Sequence, residues 1–209
     1  MSDNLQSQLS VGVLGGLGPE ATVDFMAKIV AATPAESDQD HIHLLIDHNP
    51  KVPNRHAAIA GETPSVGPNL AVMAQRLETA GADFLVMTCN TAHAYSDDIR
   101  NAVDIPFISI IDTVIESVIA SSCQSVGVMA ASGCLKAGLY QRALADAGID
   151  TILWNAEEID QFMELVYRIK AGDRDPEIGR DIEKLAASMA FSGADTLISG
   201  CTEIPLFLN

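Results

Sequence analysis

The chain has 209 residues, of which 48% are hydrophobic and 19% are charged, a composition typical of a folded globular protein rather than a disordered one. Twelve basic side chains against 28 acidic ones give a formal net charge of −16, which disfavours binding to nucleic acid and to anionic membrane surfaces. Residues 1–10 are polar and lack the pattern of a signal peptide, and no apolar run approaches the length of a membrane span. The four cysteines are widely spaced with no CxxC pair, so we expect a cytoplasmic protein with free thiols.

Apolar runs of strand length alternate along the chain with segments of helical periodicity. We predict strands over 9–15, 41–49, 83–90, 106–111, 125–131, 150–155 and 195–201, and helices over 19–33, 69–81, 91–103, 136–147, 157–171 and 176–192. This alternation is typical of parallel βαβ units covered by helices. The connection 50–68 contains four prolines and is unusually long, which is typical of functional loops.

The two halves of the chain resemble each other. GADFLVMTC (81–89) aligns with GADTLISGC (193–201) at five identical positions of nine, and VGVLGGLG (11–18) aligns with VGVMAASG (126–133). We therefore predict an α/β fold of two pseudo-symmetric lobes, 1–110 and 111–209, each a mainly parallel sheet flanked by helices, with the active site in the cleft between them. The alternative explanation is that βαβ segments resemble one another by composition alone.

The repeat places a cysteine, Cys89 or Cys201, at the end of an apolar strand and before a helix in each half. Ligands of parallel sheets bind outside the carboxyl ends of the strands, and a helix N-terminus favours the thiolate. Lobes that face each other would bring the two thiols to opposite sides of one carbon, with the sulfurs roughly 7 Å apart. Such a pair suits proton removal from one face and proton delivery to the other, which inverts a stereocentre.

Four segments, GVLGGLGPEAT (12–22), NPKVPNR (49–55), MTCNTAH (87–93) and SGCTEIPL (199–206), resemble the aspartate/glutamate racemase family, whose members use no pyridoxal phosphate. The resemblance implies two-base racemisation of a small dicarboxylic amino acid without a cofactor, by the catalytic cysteines Cys89 and Cys201. It also implies a homodimer. Chains of the family normally continue past the SGCTEIPL segment with a further strand and helix, and we expect that element to be absent here.

The resemblance also implies which residues bind the substrate. It assigns the side-chain carboxylate to Arg55 and Lys170, the amino and α-carboxylate groups to Asn90, Thr91 and Thr202, and a pocket-lining backbone to Leu17. Residues 130–134 read AASGC where relatives often carry A-T-x-G-T, and the loss of two hydroxyls bears on the substrate range.

Each of these residues also has a structural interpretation. Buried cysteines are often inert, loop arginines are usually solvated, and a lysine in the last turn of a helix is expected from the helix dipole alone. His93 lies four residues after Cys89, a spacing compatible with a Cys–His zinc pair, but we expect a structural role and no metal site because further ligands are lacking. Glu203 is either an acidic residue that the helix dipole favours or a residue that orients groups in the cleft. The glycines at 12–18 match neither GxGxxG nor a phosphate loop.

The sequence therefore predicts an isomerase, an amino-acid racemase that acts on aspartate and possibly on glutamate. Two alternatives stay open at this point. One is an isomerase or decarboxylase of a related dicarboxylate such as maleate, and the other is a non-catalytic relative that binds a small acid.

Overall fold

The computed structural model describes residues 9–208. Within that range the strands are β1 (Ser10–Gly15), β2 (His43–His48), β3 (Phe84–Met87), β4 (Ser125–Ala130), β5 (Asp150–Ile152) and β6 (Thr196–Gly200). The helices are α1 (Pro19–Ala32), α2 (Arg55–Ala60), α3 (Gly67–Thr79), α4 (Ser96–Arg100), α5 (Ile110–Ser121), α6 (Ser132–Lys136), α7 (Leu139–Asp146), α8 (Ala156–Lys170) and α9 (Pro176–Phe191). Three 3₁₀ turns cover Asp38–Asp40, Thr91–Tyr95 and Ile204–Leu206.

The chain divides into two compact units. The first contains the described residues up to Val52 together with 66–88 and 95–108, and the second contains 53–65, 89–94 and the chain from Ser109 onward. The second unit therefore includes Cys89 and the residues after it up to Ala94. The predicted halves 1–110 and 111–209 remain a prediction from the sequence.

The first unit is built on a three-stranded parallel sheet in the order β2-β1-β3. Strand β1 is central and buried along its length after Ser10, and helix α3 packs against it. The apolar stripe of α3 faces inward, because Leu70, Met73 and Leu77 are all buried at helical spacing. This arrangement confirms an α/β unit with a parallel sheet.

The second unit is built on a second three-stranded parallel sheet, in the order β5-β4-β6. Both faces of β4 are buried, because Val126 and Val128 pack in one apolar cluster with α5 and α7 while Met129 packs in another with α8 and α9. A strand covered on both faces reads as a continuous apolar run, which is how β4 is recognised in the sequence.

The repeat seen in the sequence is also present in the strand pairing. In the first sheet Gly12 pairs with Leu85, and in the second the equivalent Gly127 pairs with Leu197. The carboxylate of Asp83 accepts a hydrogen bond from the Ser10 backbone N–H, and Asp195 accepts one from Gln124 and one from Ser125 in the same way. The two sheets therefore share strand order, register and an aspartate that ties the central strand to the start of its neighbour.

The predicted strand over 106–111 is wrong. Phe107 makes one isolated bridge to Leu85, and helix α5 begins at Ile110. The physical reason is an N-cap: the Ser109 hydroxyl accepts hydrogen bonds from the backbone N–H groups of Ile111 and Asp112 and starts a helix within the apolar run.

Two further elements differ from prediction. The connection 50–68 contains a short helix, α2, which Asn54 caps with its side-chain oxygen. The predicted helix over 91–103 is split into a 3₁₀ turn and the short α4. Among residues 9–208, no helix has the length and apolar character needed to cross a membrane.

Candidate active site

Cys89 lies in the turn that follows β3, and the neighbouring histidine holds that turn in place. The Cys89 thiol is buried, with 6% of the residue exposed. Nδ1 of His93 is 2.7 Å from the Cys89 carbonyl oxygen, and its Nε2 accepts a hydrogen bond from the Ile110 N–H at 3.2 Å. Since Nε2 accepts, the imidazole is neutral and Nδ1–H donates to the carbonyl. His93 therefore ties the backbone of Cys89 to the start of α5, the structural role expected for it.

Cys201 follows β6 directly and is buried to the same extent, at 6% exposed. Its thiol donates to Oε2 of Glu203 at 3.0 Å. The other carboxylate oxygen of Glu203 lies 2.6 Å from Nζ of Lys170, the last residue of α8. Thiol, carboxylate and ammonium thus form a short chain at the carboxyl end of β6.

Burial and ion pairing decide the protonation states of Cys201 and Glu203. Burial would by itself raise the pKa of Glu203, but the Lys170 ammonium and the hydrogen bond from Cys201 outweigh it and lower that pKa. Burial raises the pKa of the Cys201 thiol well above its ordinary value, and the adjacent Glu203 carboxylate raises it further. At neutral pH, Glu203 is ionised and Cys201 is a thiol.

Tyr140 of α7 connects the surroundings of the two cysteines. Its hydroxyl donates to Oδ1 of Asn90, the residue after Cys89, at 2.5 Å. Burial raises the pKa of Tyr140, and the neighbouring Cys134 and Cys201 raise it further, so the phenol stays protonated and serves as a donor. This bond fixes which way the Asn90 amide is turned, so that its NH₂ can serve as a donor to a ligand.

Cys134, on helix α6, is a third thiol in the same region. It is fully buried, and burial together with the nearby Cys89 raises its pKa to about 12. This thiol is therefore protonated at neutral pH and behaves as a small apolar group. The family resemblance described above implies a threonine hydroxyl at this position, where this chain has the Cys134 thiol.

Helix α2 adds a second group of polar side chains. Nδ1 of His56 accepts a hydrogen bond from the Gly133 backbone N–H at 3.2 Å. Burial lowers the pKa of His56 to about 4, and the positive charges of Lys170 and Arg55 lower it further, so the imidazole is neutral at pH 7. A side chain at Gly133 would collide with His56 and would crowd Thr91, which shows how closely α2 and α6 approach.

The structure brings most of the residues that the sequence singled out into the second unit. Those in this unit are Arg55, Cys89, Asn90, Thr91, Lys170, Cys201 and Thr202. Leu17 belongs to the first unit, where it is buried. Lys170 is bound to Glu203, a contact that the sequence did not predict.

Tyr140 and His56 were missed by sequence reasoning. Tyr140 lies 50 residues from its partner Asn90, and His56 lies 77 residues from Gly133, so no local pattern reveals either contact. The one available signal was the position of His56 directly after Arg55 in the proline-rich connection.

A groove of about 500 Å³ between α8 and α9 contains none of these residues. Its lining includes Glu158, Gln161, Glu164, Arg168, Asp181 and Lys184. Its two cations are already paired, Arg168 with Asp173 and Lys184 with Asp181. Within residues 9–208, no three His, Cys, Asp or Glu side chains lie together in a way that could hold a metal ion.

Comparison with known proteins shows similarity to amino-acid racemases over nearly the whole chain. The model of the Asp/Glu/hydantoin racemase family matches residues 14–209. The solved structure of an aspartate racemase from Picrophilus torridus superposes with a TM-score of 0.87 at 27% identity, covering 96% of this chain and 84% of the other.

Two sequence relatives extend the comparison. The broad specificity amino-acid racemase RacX of Bacillus subtilis is 25% identical over 206 residues, which are 95% of this chain and 87% of that protein. The glutamate racemase of Aquifex pyrophilus is 31% identical over 132 residues, which are 62% of this chain but only 50% of that protein. The alignment with the glutamate racemase is therefore partial, whereas RacX and the Picrophilus structure align over nearly the whole chain.

Proposed function

Because the chain belongs to the Asp/Glu/hydantoin racemase family and is an amino-acid racemase, we propose that it interconverts L- and D-aspartate with Cys89 and Cys201 as the two bases. The observation that carries the proposal is the pair of buried thiols at repeat-equivalent positions. Tyr140 is hydrogen-bonded beside one thiol and lies within electrostatic reach of the other. Two such thiols meet the need for a proton acceptor and a proton donor.

The proposed reaction moves one proton in each of two steps. One cysteine thiolate removes the α-proton, and the electrons of the broken C–H bond remain on the α-carbon as a carbanion. The opposite thiol then delivers its proton to the other face, which inverts the configuration and leaves that cysteine as the thiolate. Nothing is oxidised or reduced, and the reaction requires no cofactor.

Two cations are proposed to hold the side-chain carboxylate of the substrate. Arg55 is half-buried at the start of α2, and Lys170 ends α8 beside Glu203. Both charges act on His56, which places them in one region. A guanidinium and an ammonium in one region can offer several charge-assisted hydrogen bonds to a carboxylate.

The amino and α-carboxylate groups are proposed to contact Asn90, Thr91 and Thr202. Since Tyr140 occupies Oδ1 of Asn90, the amide NH₂ is suited to donate to the α-carboxylate. The Thr202 hydroxyl donates to Glu203 at 3.4 Å, so its oxygen lone pairs are suited to accept from the substrate ammonium. Donors fixed in this way also stabilise the charge that develops on the carboxylate as the carbanion forms.

A broader substrate range is the second candidate function. The similarity to RacX, named a broad specificity amino-acid racemase, favours it. This chain has Cys134 where the family pattern has a threonine, which also changes the polar contacts available to a substrate. The substrate assay below separates the two candidates. We also propose a homodimer, on the resemblance alone, which sedimentation velocity tests.

The test is incubation of the purified chain with L-aspartate, L-glutamate, L-alanine or maleate, followed by chiral chromatography. We expect D-aspartate to form with a kcat/KM at least about tenfold above that for L-alanine, which lacks the side-chain carboxylate, a ratio equal to about 1.4 kcal/mol. L-glutamate, whose side chain is one methylene longer, should be slower by about the same factor. Comparable rates on all three amino acids would favour the broad-specificity candidate. Turnover of maleate alone, or no D-amino acid from any of them, would contradict racemisation of aspartate. Cys123→Ser, a thiol change outside the site, is the matched control and should keep full activity.

A further inference from the structure

Glu203 is a buried carboxylate to which the proposed reaction gives no task. It is 5% exposed and lies two residues after Cys201. One of its oxygens accepts hydrogen bonds from the Cys201 thiol and the Thr202 hydroxyl, and the other binds the Lys170 ammonium. A carboxylate buried at this depth is costly unless each oxygen is engaged, and here both are.

The two cysteines are equally buried, each with 6% of the residue exposed, but their neighbours differ. Cys201 has an anion in direct contact with its sulfur, whereas Cys89 lies near a second thiol, that of Cys134. Converting Cys201 to a thiolate would set a negative sulfur 3.0 Å from a negative oxygen. The same oxygen stabilises the thiol by accepting its proton in a hydrogen bond.

Other charged and titratable groups face this pair from three helices. Lys170 of α8 offsets the Glu203 charge, Tyr140 of α7 lies near Cys201 as a protonated phenol, and His56 of α2 faces Glu203 as a neutral imidazole. Lys170 is bound directly to Glu203, and its effect on Cys201 is smaller than that of the carboxylate. The net influence on the Cys201 thiol is therefore to keep its proton.

We propose that Glu203 is a positioning residue that fixes the order of proton transfer by holding Cys201 as the thiol in the resting enzyme. A two-base racemase needs one ionised and one protonated cysteine before each turnover. With Cys201 protonated, Cys89 is the first acceptor, and the resting form reacts with the enantiomer whose α-hydrogen faces Cys89. The opposite enantiomer reacts with the form that a turnover leaves, in which Cys89 is the thiol. This inference rests on the proposed function for its two bases.

The proton balance of a turnover follows from this assignment. The Cys89 thiolate takes the α-proton, and Cys201 delivers its own proton to the opposite face of the carbanion. The enzyme is then left with a Cys89 thiol and a Cys201 thiolate beside Glu203. Repulsion from the carboxylate drives Cys201 to regain a proton from solvent while Cys89 gives one up, which restores the resting form.

The experiment measures iodoacetamide alkylation of each cysteine in the full chain between pH 6 and pH 10, with the modified peptides quantified by mass spectrometry. In the wild type we expect Cys201 to react at least about tenfold more slowly than Cys89 at pH 7.5, because the Glu203 carboxylate beside its sulfur disfavours the thiolate that alkylation requires. Glu203→Gln keeps the shape of the side chain but removes the charge, and should accelerate Cys201 about tenfold while changing Cys89 less than about twofold. Fully buried Cys134 serves as an internal unreactive reference.

Asp181→Asn is the matched control variant, because Asp181 also pairs with a lysine, Lys184, but contacts no thiol in the described structure. It should leave both alkylation profiles unchanged. The inference is overturned if Cys201 reacts as fast as Cys89 in the wild type, a result that needs no variant to fold. It is also overturned if a folded Glu203→Gln variant keeps the wild-type profile of Cys201. The readout requires no substrate, so an assay that fails to produce D-aspartate would remove the substrate assignment without touching this one.

Discussion

The ammonium of Lys170 lies 2.6 Å from the carboxylate of Glu203, and the two ends of this ion pair differ in their access to water. The lysine side chain is 27% exposed, whereas the glutamate side chain is 6% exposed. Removing the lysine leaves a buried charge without a partner, but removing the glutamate charge leaves a lysine that can still reach solvent. The two deletions are therefore expected to have unequal costs.

We predict that Lys170→Met lowers the free energy of unfolding by about 3 kcal/mol at pH 7, as is typical when a buried pair loses one partner. Glu203→Gln should cost about 1 kcal/mol, since the amide can still accept a hydrogen bond from Cys201. Urea denaturation of both variants measures the two costs. The double variant, in which no buried charge is left unpaired, should be more stable than Lys170→Met. Equal costs for the two single changes would contradict the unequal burial of the pair.

Tyr140→Phe tests the orientation of Asn90. Loss of the hydroxyl removes the hydrogen bond to Oδ1 and leaves the amide free to turn, so we expect kcat/KM to fall about tenfold, the equivalent of roughly 1.4 kcal/mol. Stability should fall by about 1 kcal/mol. Steady-state kinetics and thermal denaturation measure the two effects. Tyr167→Phe, on an exposed phenol of α8, is the control and should change neither quantity. Unchanged kinetics in a folded Tyr140→Phe variant would show that Asn90 needs no such support.

The two repeat-equivalent glycines predict matched packing defects. A methyl group at Gly12 would lie 2.9 Å from Cβ of Ala82, and one at Gly127 would lie 3.1 Å from Cβ of Met189. Gly12→Ala and Gly127→Ala are each expected to cost about 1–3 kcal/mol by overpacking, as chemical denaturation would show. Gly179→Ala on helix α9 is the opposite case, because its methyl group would meet nothing nearer than 3.6 Å and should stabilise by about 0.5–1 kcal/mol. A stabilising change at either sheet glycine would contradict the equivalent packing of the two sheets.

His56 makes stability depend on pH. Burial lowers its folded-state pKa to about 4 from the ordinary value of 6.5, so the unfolded chain gains a proton first as the pH falls. Stability linked to His56 is complete above about pH 7 and is lost between pH 6.5 and pH 4. Between pH 7.5 and pH 5 the wild type should therefore lose about 2 kcal/mol more than His56→Gln in urea denaturation. His48→Gln, at an exposed histidine, should follow the wild type. A His56→Gln variant with the wild-type pH dependence would argue against a neutral, buried His56.

The fold could be predicted from the sequence where burial is uniform. The prediction failed where a single polar side chain decides between strand and helix. The strands β1 and β4 are buried on both faces and appear as continuous apolar runs. The segment 106–111 has the same apolar character, yet it contains the first turn of a helix, because Ser109 caps the backbone N–H groups that follow it. Short apolar runs do not distinguish the two outcomes, and the cap was the overlooked signal.

The candidate site divides in the same way. Cys89 and Cys201 could be singled out as candidates because each lies in a distinctive local motif, whereas the sequence left Glu203 between two interpretations. The contact of Lys170 with Glu203 depends on how α8 ends beside β6, which no local pattern encodes. Tyr140 likewise reaches Asn90 only through the packing of α7 in the second unit.

The most direct test of the two-base account is α-proton exchange during racemisation in D₂O, measured for the wild type, Cys89→Ala and Cys201→Ala with each enantiomer of aspartate. We predict that the wild type forms the opposite enantiomer with deuterium at the α-carbon from either starting enantiomer. Each variant should lose racemisation by at least about a thousandfold, since the proton acceptor or donor for one face is missing. Racemisation at the wild-type rate by either alanine variant would contradict the account.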